Sequence, residues 1–261
     1  MKYLSLIFLV ITFASCRKAI DVDLNDANPV TVIEANYTAE DSTVRVFVTQ
    51  TSNFFTTEDE PTVDDAVVTI TDQAGNSQLV PFTSSGNYVL TNYAPAFGTT
   101  YTLTVFSNDV TYSATCKMLA IIEQQPIFYD YFEPGPFTGD GGYIVAVSYQ
   151  DPAAEGDFTS ALLSKNGKKL KNLNDITLND DQFTNGNQVI RPLFVKFFDP
   201  GDTVEIELRT INKKIYDYYT ELVSLTDPNS AAPSNPDYQW TNRALGYFSA
   251  YPSSRQTVII L

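Results

Sequence analysis

Thr100-Tyr101-Thr102-Leu103-Thr104-Val105-Phe106, Ser107-Asn108-Asp109 and Val110-Thr111-Tyr112-Ser113-Ala114-Thr115-Cys116-Lys117-Met118 follow one another without a gap. Tyr101, Leu103 and Val105 alternate with Thr100, Thr102 and Thr104. One face is apolar and the other Thr-rich, as a half-buried antiparallel strand requires. The Ser-Asn-Asp break between two such runs predicts a hairpin. In its second arm Tyr112, Ala114, Cys116 and Met118 share one face. Cys116 therefore reads as a small core residue, because a free cysteine behaves as a buried hydrophobe.

Working upstream, Val30 to Tyr37, Thr43 to Gln50, Ala66 to Thr71, Gln78 to Phe82 and Asn87 to Leu90 read as further strands. A polar stretch, Thr51 to Asp65, and turn clusters at 72–76 and 84–86 separate them. Seven short strands in roughly ninety residues predict an immunoglobulin/transthyretin-like β-sandwich over 28–118.

Downstream, 119–261 reads as a second β-rich domain with one amphipathic helix. Strands are expected at Tyr143 to Tyr149, Phe158 to Ser164, Gln188 to Phe198, Thr203 to Thr210, Leu245 to Tyr251 and Thr257 to Leu261. The helix is expected near 213–226, with Asn212 as N-cap. Ile215, Tyr218, Tyr219, Leu222 and Leu225 recur at helical spacing, and Asp227-Pro228 stops it. The link from Ile127 to Gly142 is rich in Pro and Gly and reads as irregular.

At the N-terminus, Lys2 precedes an apolar run from Leu4 to Phe13, which ends in Ala14-Ser15-Cys16. This is the pattern of a secretory signal, 1–15. The small-small-Cys ending predicts a bacterial lipoprotein with Cys16 lipidated, and 16–27 as the tether. The run is shorter than the roughly 20 residues a transmembrane helix needs.

Composition narrows the chemistry. The formal net charge is −15, which disfavours nucleic acid and anionic headgroups as partners. There is no histidine, so Ser-His-Asp and Cys-His nucleophile systems and His-based zinc sites are excluded. No Gly-x-Ser-x-Gly elbow is present. Gly139-Asp140-Gly141-Gly142 lacks the Lys of a phosphate-binding loop. The expectation is a non-enzymatic protein without a cofactor.

Two clusters are candidates for binding. Asn179 to Asn187 concentrates oxygen ligands, with Asp180, Asp181 and Asn185 as calcium candidates. Its spacing does not match the EF-hand, and the alternative is an Asx- and Gly-rich turn that satisfies its own backbone. A second acidic group, Glu58-Asp59-Glu60 with Asp64-Asp65, reads as a solvated loop. Ile127 to Phe137 carries Phe128, Tyr129, Tyr131 and Phe132. Such rings suit binding of sugars or proteins or a buried seam, and their place between the two domains favours the seam. Trp240, the only tryptophan, is either a ligand platform or packed under the Pro-rich loop before it.

Cys16-Arg17-Lys18-Ala19-Ile20-Asp21-Val22-Asp23-Leu24 and Val32-Ile33-Glu34-Ala35 resemble the start of Bacteroidetes outer-membrane lipoproteins grouped as domain of unknown function 4249. Asn53-Phe54-Phe55, Ala66 to Asp72, Gly98 to Leu103, Asp180 to Gly186, Gly201 to Val204 and Ala244 to Tyr251 continue the resemblance in order. It implies no reaction and no catalytic residues. It implies an accessory binding or scaffold lipoprotein beside a TonB-dependent transporter of the Sus type, or another envelope protein. The alternative function is a glycan-binding surface lipoprotein. Arg17 and Lys18 precede Asp21 and Asp23, which leaves open whether the body faces the periplasm or the cell surface.

Overall fold

The computed structural model describes residues 29–52, 60–136, 138–180, 182–226 and 236–261. The expected signal peptide (1–15), Cys16 and the tether (16–27), with Glu58, Asp59, Phe137 and Asp181, lie outside the described residues. The described chain is mostly β-strand, in four sheets with one α-helix.

The N-terminal strands are β1 (Thr31–Thr38), β2 (Thr43–Gln50), β3 (Val67–Thr71), β4 (Ser77–Val80), β5 (Phe82–Ser84), β6 (Asn87–Leu90), β7 (Thr100–Ser107) and β8 (Val110–Lys117). β1, β2, β6 and β5 are neighbours in one sheet, and β4, β3, β7 and β8 form the other. The period-two residues Ile33, Ala35, Tyr37, Val44, Val46, Val48, Tyr101, Leu103 and Val105 meet in one buried core. Each large side chain fully buried this way stabilises the fold by roughly 1.5–3 kcal/mol. The β7–β8 hairpin is tighter than its sequence break implies. Ser107 pairs with Val110, and Asn108 and Asp109 both take positive φ, the backbone that two-residue hairpin turns require. The run Gln78 to Phe82 divides at Pro81, which has no N–H to donate to a ladder. β4 stays with β3, and β5 passes to the facing sheet beside β6.

The remaining elements are β9 (Phe128–Phe132), β10 (Gly142–Gln150), β11 (Phe158–Lys165), β12 (Lys168–Lys169), β13 (Thr177–Asn179), β14 (Gln188–Pro192), β15 (Thr203–Ile211), helix α1 (Lys213–Thr226), β16 (Leu245–Tyr251) and β17 (Ser253–Ile259). β14, β10 and β9 form one sheet; β12, β11, β15 and β17 form another, with β13 also on β11. Val145, Val147, Ala161, Leu163, Val204, Ile206 and Leu208 share a second core. The run expected to Phe198 ends as a strand at Pro192, and Phe198 rejoins by a single bridge to Tyr143.

Two features differ from the sequence expectation. The aromatic link is not a seam between domains. Phe128–Phe132 is a strand at the edge of the second sandwich, in register with Gly142 to Ala146. It carries rings on both faces, Tyr129 and Tyr131 on one and Phe128 and Phe132 on the other, and none of its five residues is fully buried. The seam is made instead by the end of the chain. β16 runs parallel to β1, from Val32 opposite Leu245 to Thr38 opposite Tyr251. After Pro252 the same chain continues as β17, antiparallel to β15. One segment thus serves both sandwiches. α1 wedges between them. Asn212 Oδ1 caps it by accepting from the Ile215 N–H at 3.1 Å. Its Tyr216 ring meets Phe158 of β11 at 4.9 Å, while Tyr218 and Tyr219 meet Tyr247 of β16 at 5.3 and 5.5 Å.

Candidate functional site

Along β15, Val204, Ile206 and Leu208 enter the second core. Alternation puts Glu205, Glu207 and Arg209 on the opposite side of the strand. That side faces a cleft of about 650 Å³ between the sandwiches. Its far wall is Asn36 and Thr38 of β1, Arg45 of β2, Glu40 and Asp41 of the turn joining them, and Tyr251 of β16. Lys169 and Arg255 complete the lining with Glu207 and Arg209.

Glu207 is the centre of this site and is only 3 % exposed. Its Oε1 accepts from Arg209 Nε at 2.8 Å. Its Oε2 accepts from Lys169 Nζ at 3.1 Å and lies 2.9 Å from Arg255 Nη2. Arg255 stands opposite Glu207 in the β15–β17 register. It also donates through Nη1 to Glu205 at 2.9 Å and through Nε to both oxygens of Glu40 at 3.0 Å. Arg255 therefore ties the first sandwich to two carboxylates of the second. Arg45 donates to Thr38 Oγ1 at 3.2 Å and pairs with Asp41. The Arg209 guanidinium carbon lies 4.6 Å from the centre of the Tyr251 ring, a cation–π contact.

Burial pushes the Glu207 carboxyl up, but the hydrogen bond and charge of Arg209, with Arg255 and Lys169, outweigh it and hold the group at about 2. Burial disfavours the charged form of Arg209, and Tyr251 and Glu207 more than restore it, so the guanidinium stays charged. Tyr251 is pushed up to about 12, chiefly by burial, with Arg209 opposing.

The residues singled out from the sequence lie elsewhere. Tyr129 and Tyr131 stack edge-on against Tyr143 at 5.7 and 5.2 Å. Phe132 meets Phe194 at 5.7 Å, and Phe128 is 51 % exposed. Trp240 is buried in the first core, and its Nε1 donates to the Ile33 carbonyl at 3.1 Å. Asp180 and Asn185 line a separate concavity with Phe158, Phe183 and Tyr216. Their loop closes on itself through the Asn187 N–H to the Thr184 carbonyl, while Asp181 and Cys16 lie outside the described residues. Among the described residues no group of three or more His, Cys, Asp or Glu is placed to hold a metal. Asp64, of the acidic loop, accepts the Gly86 N–H at 2.6 Å.

Cys116 lies in the first core, accepting from the Ala250 N–H at 3.1 Å and from Asn212 Nδ2 at 2.8 Å. Burial pushes its thiol up to about 11, so little thiolate exists at neutral pH. Thiol titration of the native protein should find Cys116 unreactive at pH 7, and added denaturant should release it fully. Rapid labelling without denaturant would contradict this packing.

The cleft residues were missed because charges on an outward strand face look like a solvated surface. One signal was present. Glu205, Glu207 and Arg209 recur at period two opposite an apolar face, a row of charge along a strand with a buried back.

A family model described as "Domain of unknown function (DUF4249)" matches residues 17–257. No curated protein matches the chain. Among solved structures it is similar to a segment of two fibronectin type-III domains from chicken tenascin, at 10 % identity and a TM-score of 0.26, covering 89 % of this chain and 99 % of that one. It is also similar to a chain from a 1.5-MDa bacterial ice-binding adhesin retained at the host cell surface, at 10 % identity and a TM-score of 0.22, covering 90 % and 65 %.

Proposed function

The chain belongs to the DUF4249 family, and from that premise we propose that it is a non-enzymatic lipoprotein of the outer membrane, anchored through Cys16. In this reading it is a binding or scaffold subunit of a TonB-dependent transporter, and its N-terminal sheets are an immunoglobulin/transthyretin-like sandwich. The observation that carries the scaffold role is the shared C-terminal segment. β16 completes a sheet of the first sandwich, and β17 pairs within the second. A subunit that holds a partner in place benefits from such a joint, because a simple linker leaves two sandwiches free to rotate. The lipid anchor rests on the Ala14-Ser15-Cys16 ending.

Affinity purification of the tagged protein after mild detergent extraction tests this. Co-purification of an outer-membrane barrel of the transporter class is the expected result. Recovery of the protein alone, in fractions that retain other intact envelope complexes, would count against the partnership.

A further inference from the structure

The cleft between the sandwiches has a built-in feature that the scaffold role does not use. Four of the chain's sixteen Lys and Arg residues line it, Arg45, Lys169, Arg209 and Arg255, against the three carboxylates Glu40, Asp41 and Glu207. With Glu205, which pairs with Arg255 at 2.9 Å, the four cations meet four carboxylates, so the cleft is charge-balanced in a chain of net charge −15. The donors of the three arginines are not equally engaged. Arg255 uses Nε, Nη1 and Nη2 on Glu40, Glu205 and Glu207. Arg45 uses Nη1 and Nη2 on Thr38 and Asp41. Arg209 uses only Nε, on Glu207. A guanidinium has five N–H donors, so the four on Nη1 and Nη2 of Arg209 have no hydrogen-bond partner among the described residues.

Arg209 is also held still. Glu207 fixes its Nε, and the Tyr251 ring supports its plane. A fork pre-oriented in this way loses little freedom on binding, and paired N–H groups match the two oxygens of a carboxylate. The Glu207 oxygens are already occupied by three cations, which mutes their repulsion of an incoming anion. One open fork in a charge-balanced cleft fits a monoanion better than a phosphate dianion. A cleft of about 650 Å³ falls within the size range of small-ligand pockets.

We infer that this cleft binds the carboxylate of a small ligand, with Nη1 and Nη2 of Arg209 as the fork and Lys169 at the rim. The inference rests on reading the protein as a binding subunit but not on its transporter partner. Failed co-purification with intact carboxylate binding would remove only the partnership.

Two matched pairs of probes separate an acidic sugar from a peptide C-terminus: D-glucuronate against D-glucose, and N-acetyl-alanyl-alanine against its C-terminal amide. Titration of the isotope-labelled protein, followed through the arginine Nε–H resonances, should show a saturable shift at Arg209 with one or both acids. Neither neutral partner should produce it. The Arg209→Lys variant keeps the charge but not the fork, and should bind the same acid at least tenfold more weakly. Absence of saturation by both acids would overturn the inference. So would equal shifts from the neutral partners, or tighter binding of inorganic phosphate. The wild-type titrations decide the question even if the variant is poorly folded.

Discussion

Glu207→Ala is expected to lower the unfolding free energy by about 3–5 kcal/mol, the range found when one partner of a buried ion pair is removed. The reason lies in what is left behind. Arg209, Arg255 and Lys169 converge on this one carboxylate. Without it, Arg209 keeps its charge in a largely buried position beside the Tyr251 ring, with no carboxylate partner among the described residues. Arg255 retains Glu40 and Glu205, so the loss falls mainly on Arg209. Glu207→Gln should cost less, because its amide oxygen still accepts one hydrogen bond. Guanidinium denaturation would rank the three proteins, and a loss in Glu207→Ala below about 1 kcal/mol, the level of an exposed pair, would refute the buried-pair account.

The same group sets a pH dependence. The folded-state value of Glu207 is depressed from an ordinary 4.5 to about 2. Its stabilising contribution is therefore complete above about 4.5 and is lost as pH falls towards 2, where the folded state must also take up the proton. Asp202, held at about 2 chiefly by its hydrogen bond from Lys165, acts in an overlapping window. In Glu207→Gln the fall in stability between pH 4.5 and 2 should become shallower without vanishing. Unchanged acid sensitivity would place the titrating groups elsewhere.

What the sequence made legible follows from the range of each signal. Ile33, Ala35 and Tyr37, or Tyr101, Leu103 and Val105, reveal a strand because one-sided burial imposes period two within a single segment. Ile215 and its helical partners reveal α1 in the same way. β9 was obscured by the Pro and Gly residues after it and by its own composition, since Phe128-Tyr129-Asp130-Tyr131-Phe132 puts rings on both faces and shows no period-two contrast. The β1–β16 pairing left no local trace, since Val32 and Leu245 lie at opposite ends of the chain. The cleft was hidden for the same reason. Glu207 and Lys169 are neighbours only because β12, β11 and β15 lie side by side, and Arg255 joins them only because β17 follows a strand of the other sandwich.

That long-range joint gives the last expectation. Gly246→Ala should destabilise the protein by about 4 kcal/mol, whereas Gly75→Ala should cost about 1–2 kcal/mol, the usual price of a left-handed backbone. Both glycines have positive φ, +92° and +89°, so the strain of adding a side chain is comparable. The surroundings differ. A Cβ on Gly75 meets nothing within 4 Å, but one on Gly246 would fall 2.2 Å from the Ile33 carbonyl oxygen and 2.8 Å from its carbon. Ile33 is opposite Gly246 in the parallel ladder, on β1, which is held on its other side by β2. Neither backbone can retreat without breaking the pairing, so overpacking of roughly 1–3 kcal/mol adds to the strain. The damage should also be local in a recognisable way. Amide exchange should quicken first along 245–251 and at the β1 residues facing it, while β10 and β11 in the other core stay protected. Equal destabilisation by the two substitutions would mean that β16 is not held against β1 as the structure has it.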